Sequence, residues 1–332
     1  MLINFYLLGS DPRAGTAPSV ITRKEILRQV SLYYMSKSFV SSVFTYAQNA
    51  TSSRADYTKA RNDAPMLYSS FKYNGGFWPK EIIARVGNLV SHTSPGPNPW
   101  KVIFLLEELG LNYEVKSFSF EVVKKKPFTD VNPNGRVPAI EDPNTDLTLW
   151  ESGAIFQYLV ETYDGEGRHR VSHASFRERQ LCNQWLHFQM SGQGPYYGQC
   201  SWFQHLHHEK YQPAIDRYAG EIRRVLGVLE GELAARSADA QWLVGGRMTF
   251  ADMAFVPWNF RLSEVLNQPW DRVWEGLPHV REWHERMISL PSWKRAMELR
   301  ARLMDEQGLQ WNGVPKGIES FTEYEKQIAA QD

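Results

Sequence analysis

Several groups of residues have the types and spacing that chemistry needs. Glu151-Ser152 opens a helical stretch. The Ser152 hydroxyl and the unpaired backbone N–H groups of that first turn make a receptor for a carboxylate. The same hydroxyl also suits an N-cap worth about 1 kcal/mol, and the two roles share their donors. Arg136 and the run Lys124-Lys125-Lys126 offer positive charge to a second anion, or a solvated basic face. Thr93, Ser94 and Asn98 bring hydroxyl and amide donors to the segment Ser94-Pro95-Gly96-Pro97-Asn98-Pro99, whose composition is that of a turn. Trp100, Tyr196, Tyr197, Trp202 and Phe203 could line a pocket for flat apolar molecules, with at least half of them expected in the core. His205, His207 and His208 invite a metal reading, but no Asp, Cys or HExxH pattern accompanies them, so a solvated polar run and no metal are expected. Thr249 with Asp252 is a capping arrangement before an apolar helix and is read as structural.

Composition narrows what these groups can serve. Lys+Arg and Asp+Glu number 37 each, so no basic excess attracts nucleic acid or an anionic membrane surface. No apolar run approaches the roughly 20 residues a membrane-spanning helix needs. The opening MLINFYLL is short and has no preceding positive charge, so a secretory signal is not expected. The two cysteines, Cys182 and Cys200, form neither CxxC nor a metal-ligand spacing, and reduced thiols in a cytoplasmic protein are expected. Residues 1–83 stand apart. They are rich in Ser, Tyr, Lys and Arg and poor in acids, which suits a poorly ordered extension or, as the alternative, a mitochondrial transit segment.

The elements that must position these groups follow from 84 onward. ARVGNLVSH reads as a strand, PWKVIFLLEELG as a helix that Gly110 stops, and NYEVKSFSF as a second strand by its alternation. The three prolines between the first strand and the helix argue against any regular element over 94–99. VPAIED and DLTLW, joined by Asp142-Pro143-Asn144, are two more short strands, and a helix runs from Glu151 or Ser152 to about Tyr163. Strand–helix–strand, then strand–strand–helix, is the thioredoxin-like order, with a parallel first pair and a hairpin last pair. Beyond Gly165 only helical patterns appear. ASFRERQLCNQWLHFQMSG, EKYQPAIDRYAGEIRRVLGVLEGELAAR, TFADMAFVPWNFRL and LPHVREWHERMISLPSWKRAMELRARL predict an all-α second domain. The expected organisation is an extension over 1–83, a thioredoxin-like domain over 84–165, an all-helical domain over 166–315 and a tail over 316–332, an α+β chain overall.

VNPNGRVPAIED followed by LTLWESGAIFQYL resembles the glutathione-binding half of cytosolic glutathione transferases. WLVGGRMTFADMAFVPW and LPHVREWHERMISLPSWKRAM resemble motifs of that family's helical domain, and SHTSPGPNPWKV and SGQGPYYGQ its fungal branch related to the yeast nitrogen-regulating prion protein. The resemblance covers roughly 84–315. It implies a glutathione site that must hold both ends of the tripeptide and lower its thiol pKa, since a free thiol is only a few per cent thiolate at pH 7. It further implies a cis peptide at Val137-Pro138, with the Val137 backbone pairing to the cysteinyl part of glutathione. Ser152 and Glu151 would take the γ-glutamyl carboxylate and ammonium; Arg136 and Lys125, or a neighbouring lysine, the glycine carboxylate. Trp100, Tyr196, Tyr197 and Trp202 would border the second substrate, a small hydrophobic electrophile or a disulfide. No tyrosine follows the first strand, so Asn98 is the first choice for the thiolate donor, with Ser94 and Thr93 as alternatives. The implied function is glutathione conjugation, or reduction by glutathione, in detoxification or secondary metabolism, by a homodimer. The alternative is a glutathione-binding regulator with little turnover.

Overall fold

In the computed structural model, strand β1 (Leu89–Thr93) runs into helix α1 (Pro97–Leu109), and strand β2 (Tyr113–Ser117) returns parallel to β1. The structure describes residues 88–119, 122–165, 167–237, 241–310, 313–318 and 323–324. The expectations for 1–83 lie outside them, as does most of the 316–332 tail. A short helix α2 (Phe128–Val131) leads to strand β3 (Ala139–Asp142), antiparallel to β1, and strand β4 (Leu147–Trp150) closes the hairpin. Helix α3 (Ser152–Tyr163) follows. The strand order is β2-β1-β3-β4, a mixed four-stranded sheet of the thioredoxin-like kind.

Helix α1 begins two residues earlier than its sequence suggests, because Pro97 and Pro99 both sit in its first turn. The N–H groups they lack are ones a first turn leaves unpaired anyway, so the prolines cost the helix nothing there. Asn98 is therefore a helical residue, not a turn residue. Gly110, at φ 68°, ends the helix in the left-handed conformation that favours glycine. Trp100, Val102, Ile103, Phe104, Leu105 and Leu106 are all buried, so α1 is covered on every side. It packs against α3 and against two helices of the second domain, α7 (Phe250–Asn259) and α11 (Pro291–Glu306).

That second domain is all-helical. Helix α4 (Phe176–Phe188) does not stop near Gly192; it passes through a π-helical turn (Gln189–Gln193) into α5 (Gly194–Ser201) and a second π-turn (Trp202–Leu206). Pro195 is the second residue of α5, directly after the π-turn. Helix α6 (Gln212–Ala234) is the long amphipathic one, and α7 (Phe250–Asn259) is buried along its whole length. Short helices α8 (Leu262–Leu266) and α9 (Trp270–Val273) follow. The final helical stretch breaks at Leu290, where Pro291 starts a new first turn, giving α10 (Pro278–Ile288) and α11 (Pro291–Glu306). The Thr249–Asp252 capping box starts α7. Buried Asp252 accepts from the Leu243 and Thr249 N–H groups, the Thr249 hydroxyl and the Trp283 indole, which fixes α7 in the core.

Candidate functional site

The sheet register brings the sequence-predicted anchors to one end of the sheet. His92 pairs with Ala139, and Ala139 pairs with Trp150. Continued one step beyond these pairs, the register sets Pro138 toward Thr93 on one side and Glu151 on the other. The Val137–Pro138 bond is cis. The C-terminal end of β1, the residues ahead of β3 and the start of α3 therefore meet where α1 begins.

The start of α3 differs from expectation in one respect. Glu151, not Ser152, is the N-cap residue, and it makes no side-chain cap bond. Its φ of 72° is the left-handed region that a non-glycine residue seldom adopts, and such backbone gathers at binding sites. Ser152 is thus the first helical residue, 5% exposed, and its hydroxyl donates to Met190 Sδ at 3.5 Å. A thioether is a weak acceptor, which leaves that hydroxyl available to a carboxylate. Glu151 is exposed. Met190 sits close over Gly153, where a Cβ would meet its Cγ at 3.1 Å, so only glycine fits without a shift.

Arg136 and Lys125 are both exposed. Gly135, at φ 61°, packs under the Val123 carbonyl at 3.1 Å from where a Cβ would stand, which sets the 135–136 turn against the 123–125 turn. Beneath them, His92 stacks on Phe118 with ring centroids 5.5 Å apart, and its Nε2 meets Glu141 at 2.7 Å.

At the other end of the site, Asn98 is half-buried in the first turn of α1, and its Oδ1 accepts from the Trp258 indole at 3.0 Å. Ser94 is buried: its hydroxyl accepts from the Gly96 N–H and its carbonyl accepts from the Trp100 indole at 3.0 Å. Thr93 Oγ1 is buried and has no partner among the described residues. Arg300 of α11 donates twice to the Pro95 carbonyl, at 2.9 and 3.2 Å, holding the turn between β1 and α1. Burial, with Arg261 nearby, lowers the Arg300 pKa to about 10.

One turn below Asn98 lies a group that pattern reading missed. Lys101 is 1% exposed, and its Nζ donates to Gln189 Oε1 at 2.6 Å. Burial pushes its pKa down to about 7, against the pull of Glu151. Gln189 continues to Gln193, and Gln193 to Asn259 at the end of α7. Lys101 lies inside a stretch read as apolar helix, and Gln189 lies 88 residues away, so only the folded chain joins them.

The aromatic candidates separate. Trp100 and Tyr197 are core residues and do not line a pocket: Trp100 is 2% exposed, and fully buried Tyr197 bonds Asn259. Both bury large rings and satisfy their polar atoms inside the protein. Tyr196 and Phe203 pack on Tyr218 of α6, and Trp202 is 38% exposed. His205 and His207 meet main-chain carbonyls, and no metal-holding cluster occurs among the described residues. Cys182 and Cys200 are buried and free, and burial pushes their thiols up to about 12 and about 11. A cavity of about 630 Å³ lies at the far end of α1, lined by Glu107, Tyr113, Arg295 and Arg302. Its Glu107 carboxylate is already taken by Tyr113 and Arg295.

A thioredoxin-like sheet with a cis-proline anchor, continued by an all-helical domain, is the architecture of glutathione transferases. Two family models match, Glutathione S-transferase N-terminal domain over 87–161 and C-terminal domain over 191–291. The chain is 49% identical to the glutathione S-transferase-like protein tpcF of Aspergillus fumigatus, over 61% of this chain and 91% of that protein. It is 35% identical to the transcriptional regulator URE2 of Saccharomyces cerevisiae, over 63% and 67% respectively. The glutathione transferase URE2P6 of Phanerochaete chrysosporium, solved in complex with oxidized glutathione, superposes with a TM-score of 0.60 at 42% identity, covering 65% of this chain and 97% of that one. The chain belongs to the glutathione S-transferase family.

Proposed function

We propose that this protein binds glutathione and joins it through its sulfur to a small hydrophobic electrophile, or uses it to reduce a disulfide. The observation that carries the reading is the register that gathers Val137, Glu151, Ser152 and the start of α1 at one end of the sheet. The Val137 backbone pairs with the cysteinyl unit, Ser152 and Glu151 receive the γ-glutamyl end, and Arg136 with Lys125 attract the glycine carboxylate. Asn98 donates to the sulfur, helped by the positive end of α1. In conjugation the thiol proton leaves to solvent, the thiolate forms an S–C bond, and the electrophile either releases its leaving group or takes up a proton. Trp202 and Tyr196 border the acceptor. A cytoplasmic homodimer belongs to the same reading; two buried cysteines that form no disulfide support a reducing compartment.

A second reading, a glutathione-binding regulator with little turnover, is supported by the similarity to a transcriptional regulator. A single neutral amide is also a modest thiol activator beside a paired base. The experiment is a pH–rate profile with glutathione and a panel of electrophiles and disulfides, for the wild type and Asn98→Ala. Asn98→Ala is expected to lower turnover at neutral pH, with the ratio to wild type recovering as pH passes the free thiol pKa. A profile parallel to wild type overturns the assignment of Asn98, and tight binding without turnover on any substrate selects the regulator.

A further inference from the structure

We infer that Trp258 is a positioning residue that fixes which end of the Asn98 carboxamide faces the glutathione sulfur. The inference rests on Asn98 being the thiolate donor. An asparagine side chain has an accepting and a donating end, and its terminal torsion is broad and roughly two-fold. Left alone, Asn98 could present its oxygen to the sulfur as readily as its NH2, and an oxygen there would repel a thiolate. The Trp258 indole is a donor only. At 3.0 Å from Asn98 Oδ1 it selects one of the two orientations, because a flipped amide would set donor against donor. The NH2 then faces away from α7, and no acceptor among the described residues takes it.

Trp258 is itself held. It is 7% exposed, its ring meets Tyr197 edge-on at 6.0 Å, and it lies over Gly194 and Gly198 of α5, where a Cβ would come within 3.8 and 3.6 Å of it. Its helix, α7, is anchored by the four bonds to Asp252. Asn98 and Trp258 are 160 residues apart, so the helical domain orients a donor that belongs to the thioredoxin-like domain. Positioning of this kind works when the supporting side chain is locked by its own packing.

The test measures thiolate absorbance of glutathione bound to the full chain against pH, for wild type, Asn98→Ala, Trp258→Phe and the double variant. Trp258→Phe keeps an aromatic ring and removes the N–H. It is expected to raise the bound thiol pKa in the same direction as Asn98→Ala, by about half a unit, which is about a threefold loss of thiolate below the pKa. Glutathione affinity should change less than the pKa does, and the double variant should shift no further than Asn98→Ala alone. A wild-type pKa in Trp258→Phe beside a raised one in Asn98→Ala overturns the positioning role and leaves the Asn98 reading intact. No shift in Asn98→Ala overturns both. Should Trp258→Phe fail to fold, the indole 1H–15N signals of Asn98→Ala decide: movement of the Trp258 signal supports the bond, and unchanged indole signals overturn it.

Discussion

The two ends of the proposed glutathione seat are built in opposite ways. The γ-glutamyl end is mostly local: a strained Glu151, a helix start at Ser152 and the cis peptide before β3 lie within some fifteen residues, with Met190 of the helical domain against Ser152 and Gly153. The thiol end is assembled from a distance. Trp258 holds Asn98, Gln189 holds Lys101 and Arg300 holds the Pro95 carbonyl, each from the helical domain. A mostly local anchor depends less on changes elsewhere, because its own backbone sets most of its geometry. An anchor tied across the core responds to whatever moves the helices behind it. Affinity and reactivity thereby become separable properties of one site.

That separation can be broken or sharpened by substitution. The largest effect is expected from Ser152→Ala. A carboxylate losing a charge-assisted bond costs about 1.5–3 kcal/mol, so glutathione affinity measured by calorimetry should fall about tenfold or more, with the bound thiol pKa unchanged. An equal shift in both quantities would mean that the two ends act as one. Next comes Lys101→Met. Burial holds the Lys101 pKa near 7, whereas an unfolded lysine keeps its proton to about pH 10.4. Between those values the unfolded chain binds the extra proton, so the stability attributable to Lys101 rises with pH, by less than about 1.4 kcal/mol per unit, and levels off below about pH 7. Urea unfolding at a series of pH values should show this rise in wild type relative to Lys101→Met. Equal slopes would show that Lys101 titrates like a surface lysine. The smallest effect is expected from Lys125→Ala. An exposed pair contributes about 0.2–1 kcal/mol, so glutathione affinity should weaken by no more than about fivefold, and added salt should erase the difference.

The same asymmetry governs what could be read from the sequence. The strands around VPAIED and LTLW, the helix from Ser152 and the Thr249–Asp252 box announce themselves through alternation, a helix start and a capping pair, all signals within a few residues. The first turn of α1 was hidden by its prolines, which a helix accepts in its first turn and disfavours in its interior. Trp100 and Tyr197 look like pocket residues by type and are core by position, and no local pattern separates those fates. Lys101, Gln189, Trp258 and Arg300 carry no local signal at all. A lysine in an apolar helix reads as its solvent face until the domain that covers it is in view.

The two cysteines bear on the chain's own durability. With thiols pushed to about 11 and about 12, roughly one in ten thousand or fewer is ionised at neutral pH, and neither is open to solvent. On the proposed function, a protein working among disulfides and electrophiles therefore offers them no reactive thiol of its own, and escapes becoming trapped as a mixed disulfide with its own ligand. Its two thiols become reactive only when the helical core opens. Their capture by an alkylating dye is thus a clock for unfolding, one that reads the lifetime of the native state in the very mixture where catalysis is assayed.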